Sequence, residues 1–251
     1  MENTLRPGET LDDFYRGRVR LIQPKKGYRF ATDAPLLAAF VELRPQDDVC
    51  ELGTGNGVVA VLLGLRPFRR LTAIEIQPRL ADMARRNVAG NNLAGRIDIV
   101  EADLRTWRPG RRFDVVVSNP PYYEKRGGFR CPDPEKAIAK HEVTCDIMEI
   151  MQAVSALLKA EGRAFFVYPA AREGDFRAAA EKNGLCPAVT RKIHPRAGAK
   201  PNHFLAELHP AAAFAGEETT LPPLFLHPAV GGEFTAEASA MLEGPRNETR
   251  R

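Results

Sequence analysis

The strongest constraint on this chain is a regular alternation of short apolar runs and amphipathic segments between residues 49 and 182. Residues 49–52 read as a buried strand, GTGNG as a tight loop and 58–65 as a helix. Residues 71–76 read as the next strand, and 78–91 as an amphipathic helix with Leu80, Met83, Ala84 and Val88 near helical spacing. Residues 97–100 and 113–117 follow as strands. Residues 147–158 form a helix that Gly162 should end, 163–168 a strand, and 173–182 a helix closed by Gly184. Strands that alternate with helices of this length predict an α/β fold, a mostly parallel sheet with helices on both faces. Residues 185–193 and 204–208 are extended runs with no helix between them, which predicts a terminal antiparallel hairpin on the sheet edge.

The flanks divide the chain into three parts. Residues 1–45 read as a hairpin and a helix packed on the core, 46–210 as the main domain, and 211–251 as a C-terminal extension. The hairpin is expected over 11–30, with Phe14, Val19, Leu21 and Ile22 near a QPKKG turn and Tyr28 and Phe30 after it. Thr32 and Asp33 are good N-cap types before an apolar run over 34–43, and Pro35 is tolerated in the first turn. Residues 123–136 and 210–223 look irregular, and the first could serve as a lid.

At 251 residues, 44% hydrophobic and 27% charged, the composition is that of an ordinary globular chain with one sizeable domain. The N-terminus shows no secretory signal, and no stretch approaches the roughly 18 apolar residues of a membrane span. Cys50, Cys131, Cys145 and Cys186 are widely spaced and read as free thiols, which points to the cytoplasm. Net charge is +4, unevenly spread. Residues 14–29 carry Arg16, Arg18, Arg20, Lys25, Lys26 and Arg29 without an acid. Residues 105–130 hold seven Lys or Arg against Asp114 and Glu124, and 191–200 add Arg191, Lys192, Arg196 and Lys200. The tail is acidic. Clustered cations are consistent with a side that faces a polyanion, or simply with solvated surface.

Glu51-Leu52-Gly53-Thr54-Gly55-Asn56-Gly57 joins a buried strand to a helix, and its alternate glycines allow a sharp turn and close ligand approach. A loop at the carboxyl end of the first strand is where open α/β sheets bind nucleotide-like ligands. Glu75 ends the second strand, where a carboxylate can accept both ribose hydroxyls. Asp103, with Leu104 beside it, ends the third and could accept an adenine amino group. The GxGxG spacing and the preceding Glu51 disfavour a pyrophosphate and suit a cationic sulfonium ligand with an α-amino group. Val115-Val116-Val117-Ser118 then runs into Asn119-Pro120-Pro121-Tyr122. The prolines stiffen the corner so that the Pro120 carbonyl and the Asn119 amide oxygen can accept the two hydrogens of an –NH₂ on a flat ring. Tyr122 supplies a face on which that ring stacks.

These motifs resemble those of the Rossmann-like class I methyltransferases, and most closely the bacterial tRNA-valine adenine-N6 methyltransferase family, which modifies adenosine 37 of the anticodon loop. The resemblance also rests on Phe30-Ala31-Thr32-Asp33-Ala34, Ala139-Lys140-His141-Glu142, His194-Pro195-Arg196-Ala197-Gly198 and tail residues 226–237. It implies a seven-stranded sheet and S-adenosyl-L-methionine as cofactor, held by Glu51, Gly53, Thr54, Gly55, Asn56, Gly57, Glu75, Asp103, Leu104 and Asn119. It implies Asn119, Pro120 and Tyr122 as catalytic residues and an RNA substrate met by Pro121 and Tyr122. His194, Arg196, Lys200 and Asn202, between the last two strands, could grip RNA backbone or simply form a polar turn. Thr32 and Asp33 would help close the cofactor pocket, or simply cap a helix. His141 and Glu142 could anchor the irregular loop. No His/Cys/Asp/Glu grouping has metal-ligand spacing, so no catalytic metal is expected. The same NPPY corner serves protein-glutamine and rRNA guanine-N2 methyltransferases, and a non-catalytic cofactor-binding RNA partner is a further alternative.

Overall fold

The computed structural model describes residues 5–26, 29, 31–120, 145–228 and 232–244. Strands β1 (Glu9–Phe14) and β2 (Val19–Pro24) form an antiparallel hairpin, and helix α1 (Asp33–Phe40) follows. The core then alternates as the sequence pattern predicts: β3 (Asp48–Leu52), α2 (Val58–Leu63), β4 (Arg70–Glu75), α3 (Pro78–Gly90), β5 (Ile97–Glu101) and β6 (Phe113–Ser118). Helix α4 (Ile147–Leu157), β7 (Leu158–Pro169), α5 (Glu173–Lys182), β8 (Leu185–Arg196) and β9 (His203–Pro210) complete it. Short strands β10 (Thr219–Thr220) and β11 (Leu224–His227) and helix α6 (Ala236–Glu243) lie in the tail.

Seven strands stand in the order β8-β9-β7-β6-β3-β4-β5. The run from β7 through β6, β3 and β4 to β5 is parallel, and β9 pairs antiparallel with both β7 and β8. Successive side chains alternate faces. Val115 and Val117 pack with α1 and α2 residues such as Leu36, Val59 and Leu63. Val116 joins the α4 and α5 residues Ile150, Val154 and Phe176 on the other side. Burial on both faces is why these strands read as continuous apolar runs.

Four local readings are corrected. The hairpin turns at Tyr15, Arg16 and Gly17, all left-handed at φ 50°, 57° and 77°, not at QPKKG. The Tyr15 ring is buried and its hydroxyl donates to the Met241 carbonyl at 3.2 Å, so contact with the tail supports an unusual turn that local propensity would not favour. Gly162 does not cap a helix: α4 ends where Leu158 turns extended, and Gly162 lies inside β7. A Cβ there would meet Leu158 Cδ1 at 2.7 Å, so close packing is what requires glycine. Thr32 occupies the N-cap of α1 without a side-chain bond; Asp33 Oδ1 instead accepts from the Ala34 N–H at 2.9 Å. Strand β8 is not left as a bare edge, because β10 and β11 pair parallel along it in two short pieces. Leu224 and Leu226 carry the tail into the core, which offsets the entropy of ordering it and covers exposed strand hydrogen-bonding groups.

Candidate active site

The parallel strands β3, β4 and β6 end together on one edge of the sheet, and the glycine loop leaves β3 there. The Gly53 and Thr54 N–H groups both donate to the Ile74 carbonyl at 2.9 Å, and Gly57 N–H to the Thr54 carbonyl at 2.9 Å. Gly53, Gly55 and Gly57 sit at φ 73°, 59° and 84°, where an L side chain would be strained. A Cβ on Gly53 would meet nothing within 4 Å, so its outer surface is open to a ligand. A Cβ on Gly57 would lie 3.1 Å from Ala84 Cβ, so that glycine serves contact with α3.

The two acids of this corner are buried. Glu51 Oε2 accepts from the Thr54 hydroxyl at 2.8 Å. Burial pushes its carboxyl up to about 7, against the pull of that bond and of the Ala60 N–H. Glu75 Oε2 accepts from Gly55 N–H and Oε1 from Gln77 N–H, both at 2.9 Å, and burial again raises its carboxyl above the ordinary range. The third acid differs. Asp103 lies two residues past β5 and is gripped by the Arg105 guanidinium at 2.6 Å, which holds its carboxyl below the usual range. Leu104 is half-buried beside the α4 core, and Trp107 stacks on Phe113 with centroids 6.1 Å apart. Asp103 thus does not end its strand as the sequence predicts; Glu51 and Glu75 at the ends of β3 and β4, with Asp103 just past β5 and an open glycine turn beside them, fit the donor-rich ribose, adenine and ammonium groups of S-adenosylmethionine.

Asn119 follows β6 directly. The Ser118 hydroxyl donates to the Leu52 carbonyl at 3.0 Å, which ties the end of β6 to the residue before the glycine loop. Asn119 is half-buried, its Nδ2 donates to Asp33 Oδ2 at 3.1 Å, and Pro120 is buried. Pro121 and Tyr122 lie outside the described residues, as do Cys131, Ala139, Lys140, His141 and Glu142. Arg196 and Lys200 border the loop between β8 and β9. Because β9 pairs His203 with Pro169 at the end of β7, that loop stands on the same sheet edge as Asn119. Both side chains are exposed and make no ion pair among the described residues. Their neighbours Arg191 and Lys192 are held by Glu237 and Glu173. In the first basic segment, Arg16 pairs with Glu243, Arg20 with Asp13 and Arg29 with Asp12. Three of the six cations of that first segment are therefore paired with acids.

Two residues of this region escaped the motif reading. Asn87 is fully buried on α3, accepts from Ile22 N–H at 2.6 Å, and donates to the Ile22 and Asn56 carbonyls at 3.0 and 2.8 Å. One turn later Asn91 repeats the pattern on Arg20, at 3.1 and 2.8 Å. Two asparagine amides thus act as a surrogate strand for β2 and lock it to the back of the glycine loop. The signal was an i, i+4 pair of asparagines, the first beside the apolar face of α3. Glu9 and Arg86, paired at 2.7 Å, fasten the other end of the hairpin. Among the described residues no group of three or more His, Cys, Asp or Glu could hold a metal, and no helix is long and apolar enough to cross a membrane.

The sheet order, the glycine loop and its acids define a class I S-adenosylmethionine-dependent methyltransferase. Residues 30–130 match the model of the methyltransferase small domain family. The chain is 30% identical to a tRNA1(Val) (adenine(37)-N6)-methyltransferase of Porphyromonas gingivalis over 230 residues, covering 88% of this chain and 89% of that one. It is also 30% identical to the protein of the same name from Bacteroides thetaiotaomicron, over 72% and 76% of the two chains. The chain belongs to the tRNA1(Val) (adenine(37)-N6)-methyltransferase family. Among solved structures, a predicted O-methyltransferase from Agrobacterium tumefaciens superposes with a TM-score of 0.65 at 21% identity, over 86% of this chain and 99% of that one. The M. jannaschii tRNA m1G37 methyltransferase gives 0.57 at 14% identity, over 82% and 57%. Both likenesses concern the fold.

Proposed function

We propose that this methyltransferase modifies the exocyclic N6 amine of adenine in RNA, with tRNA as the substrate, in the cytoplasm. The observation that carries the reading is Asn119, held half-buried at the end of β6 beside the glycine loop, with its amide nitrogen turned to a carboxylate. Glu51 receives the cofactor's α-amino group, Glu75 the ribose hydroxyls, and Asp103 with Leu104 the adenine. Gly53, Thr54, Gly55, Asn56 and Gly57 give that ligand close backbone approach. Bound S-adenosylmethionine supplies an electrophilic methyl carbon.

The chain's own residues then have to hold and activate a weak nucleophile. Adenine's amino lone pair is delocalised into the ring. The Asn119 Oδ1 and the Pro120 carbonyl accept its two hydrogens, favour a pyramidal nitrogen and stabilise the positive charge that develops there. Tyr122 and Pro121 receive the base turned out of its stack. Arg196 and Lys200 engage phosphate at the rim, where their charge is not neutralised by an acid among the described residues.

The test incubates the protein with labelled methyl donor and separate tRNA, rRNA, DNA and protein fractions, then maps the labelled nucleoside or residue. Label in N6-methyladenosine of tRNA is the expected result. Label in glutamine of the protein fraction, or in guanine of rRNA, would replace this reading by another use of the same corner.

A further inference from the structure

We propose that Asp33 is a positioning residue for methyl transfer, its carboxylate fixing which end of the Asn119 amide faces the substrate. The inference rests on the reading of Asn119 as the acceptor for the amine. Asp33 is the first residue of α1, whose next residues Ala34, Pro35, Leu36 and Leu37 are buried, so its backbone is firmly placed. Asn119 is placed independently, by β6 and the Ser118 bond to Leu52. The two side chains meet where Asn119 Nδ2 donates to Asp33 Oδ2 at 3.1 Å.

The chemistry of the pair makes this contact directional. An ionised carboxylate only accepts, whereas an amide has one donor end and one acceptor end of nearly the same shape. Asp33 therefore selects the rotamer with Nδ2 toward itself and Oδ1 turned away. An amine must be met by an acceptor, and the flipped amide would set –NH₂ against –NH₂. The anion also polarises the amide and strengthens Oδ1 as an acceptor while positive charge grows on the substrate nitrogen. His203, on β9, is near enough to feel the Asp33 charge. Burial holds its imidazole below the ordinary range, while the Asp33 charge pulls it the other way.

A purely structural role is separable from this one. Asp33 Oδ1 accepts from the Ala34 N–H at the first position of α1, and an asparagine side-chain oxygen there can accept the same bond. Asp33→Asn thus preserves the helix and abolishes the acceptor-only partner. Methyl transfer is measured on whichever fraction the wild type labels, beside cofactor binding and thermal unfolding. The expected result is a wild-type melting point and a near-unchanged substrate KM, with kcat at saturating cofactor lower by roughly 10- to 100-fold, a loss larger than any change in cofactor Kd. Asp33→Glu, which keeps an acceptor-only group, should recover part of the loss. Should Asp33→Asn fold poorly, Asp33→Ser, another good helix starter, replaces it. A wild-type kcat in the folded Asn or Ser variant, or a loss confined to KM, overturns the positioning role. A wild type that labels protein rather than RNA would instead overturn the substrate reading, and the Asp33 comparison would still be measurable.

Discussion

The two halves of this sheet edge are built on opposite terms. On the β3–β4 side, Glu51, Thr54, Gly55 and Glu75 are hydrogen-bonded to one another or to adjacent backbone, and Glu51 and Glu75 are buried. On the β8–β9 side, Arg196 and Lys200 stand exposed without an acid partner among the described residues. A small ligand with fixed hydroxyls and one ammonium rewards a preorganised, desolvated cradle. A long polyanion rewards cations still paired only with water, because its affinity comes from released counterions. Asn119 sits where the two halves meet.

The comparison can be broken most sharply at that junction. Asn119→Ala should lower kcat by about 10²- to 10³-fold with a much smaller loss of cofactor affinity, since its amide oxygen acts mainly on the substrate amine during transfer. Isothermal titration beside steady-state kinetics checks both; an equal loss in cofactor affinity would move Asn119 wholly into the cofactor half. Asn87→Ala should destabilise the fold by about 3 kcal/mol, because the buried Ile22 N–H and the Asn56 carbonyl lose partners and the Ile22 carbonyl keeps only the longer bond from Asn56 Nδ2 at 3.3 Å. Urea unfolding reads this as a lower midpoint with unchanged slope.

A third test uses pH. Burial raises the Glu51 carboxyl from 4.5 to about 7, so ionising it in the folded state without cofactor costs on the order of 3 kcal/mol. A raised folded value favours the protonated fold: this contribution is fully present below about 4.5 and is lost as pH rises through about 7. Glu51→Gln should therefore stabilise the cofactor-free protein at pH 8 and leave it unchanged near pH 4.5. The same variant should bind S-adenosylmethionine more weakly, and wild-type affinity should rise between pH 6 and 8 as the carboxylate forms. Identical unfolding curves for the two proteins at pH 8 would remove the buried-acid account. The smallest effect falls on the rim. Lys200→Ala or Arg196→Ala should raise the KM for RNA a few-fold and lower the salt slope of binding by about one. Arg191→Ala, whose cation is already held by Glu237, should not.

The same contrast explains what could be read from the sequence. The parallel core, the glycine loop and the strand-end acids were legible because each depends on local pattern: apolar runs, turn glycines and residues that follow strands. The seven-strand frame was implied by the family resemblance, and β10 and β11 extend it to nine strands. Long-range pairing was not legible. Arg16 and Glu243, partners in the fold, are separated by nearly the whole chain, so the sequence alone could not show that this cation is paired. Asn87 looked like an ordinary polar helix residue, because its role exists only once β2 lies against α3. The hairpin turn was misplaced for a similar reason: Tyr15 and Arg16 in left-handed geometry are supported by α6, more than 200 residues away. In the site, Glu51, Glu75 and Asn119 could be singled out by spacing, whereas the Asp33 contact depends on how α1 packs across β7 and β9, which brings Asp33 to the end of β6.

The most direct test is a crystal structure with S-adenosylmethionine or its demethylated product bound. The account predicts ribose hydroxyls on Glu75, the ammonium group near Glu51, and the sulfur facing Asn119 across the glycine loop. A ligand seated away from Glu75, or one whose sulfur points away from Asn119, would contradict it.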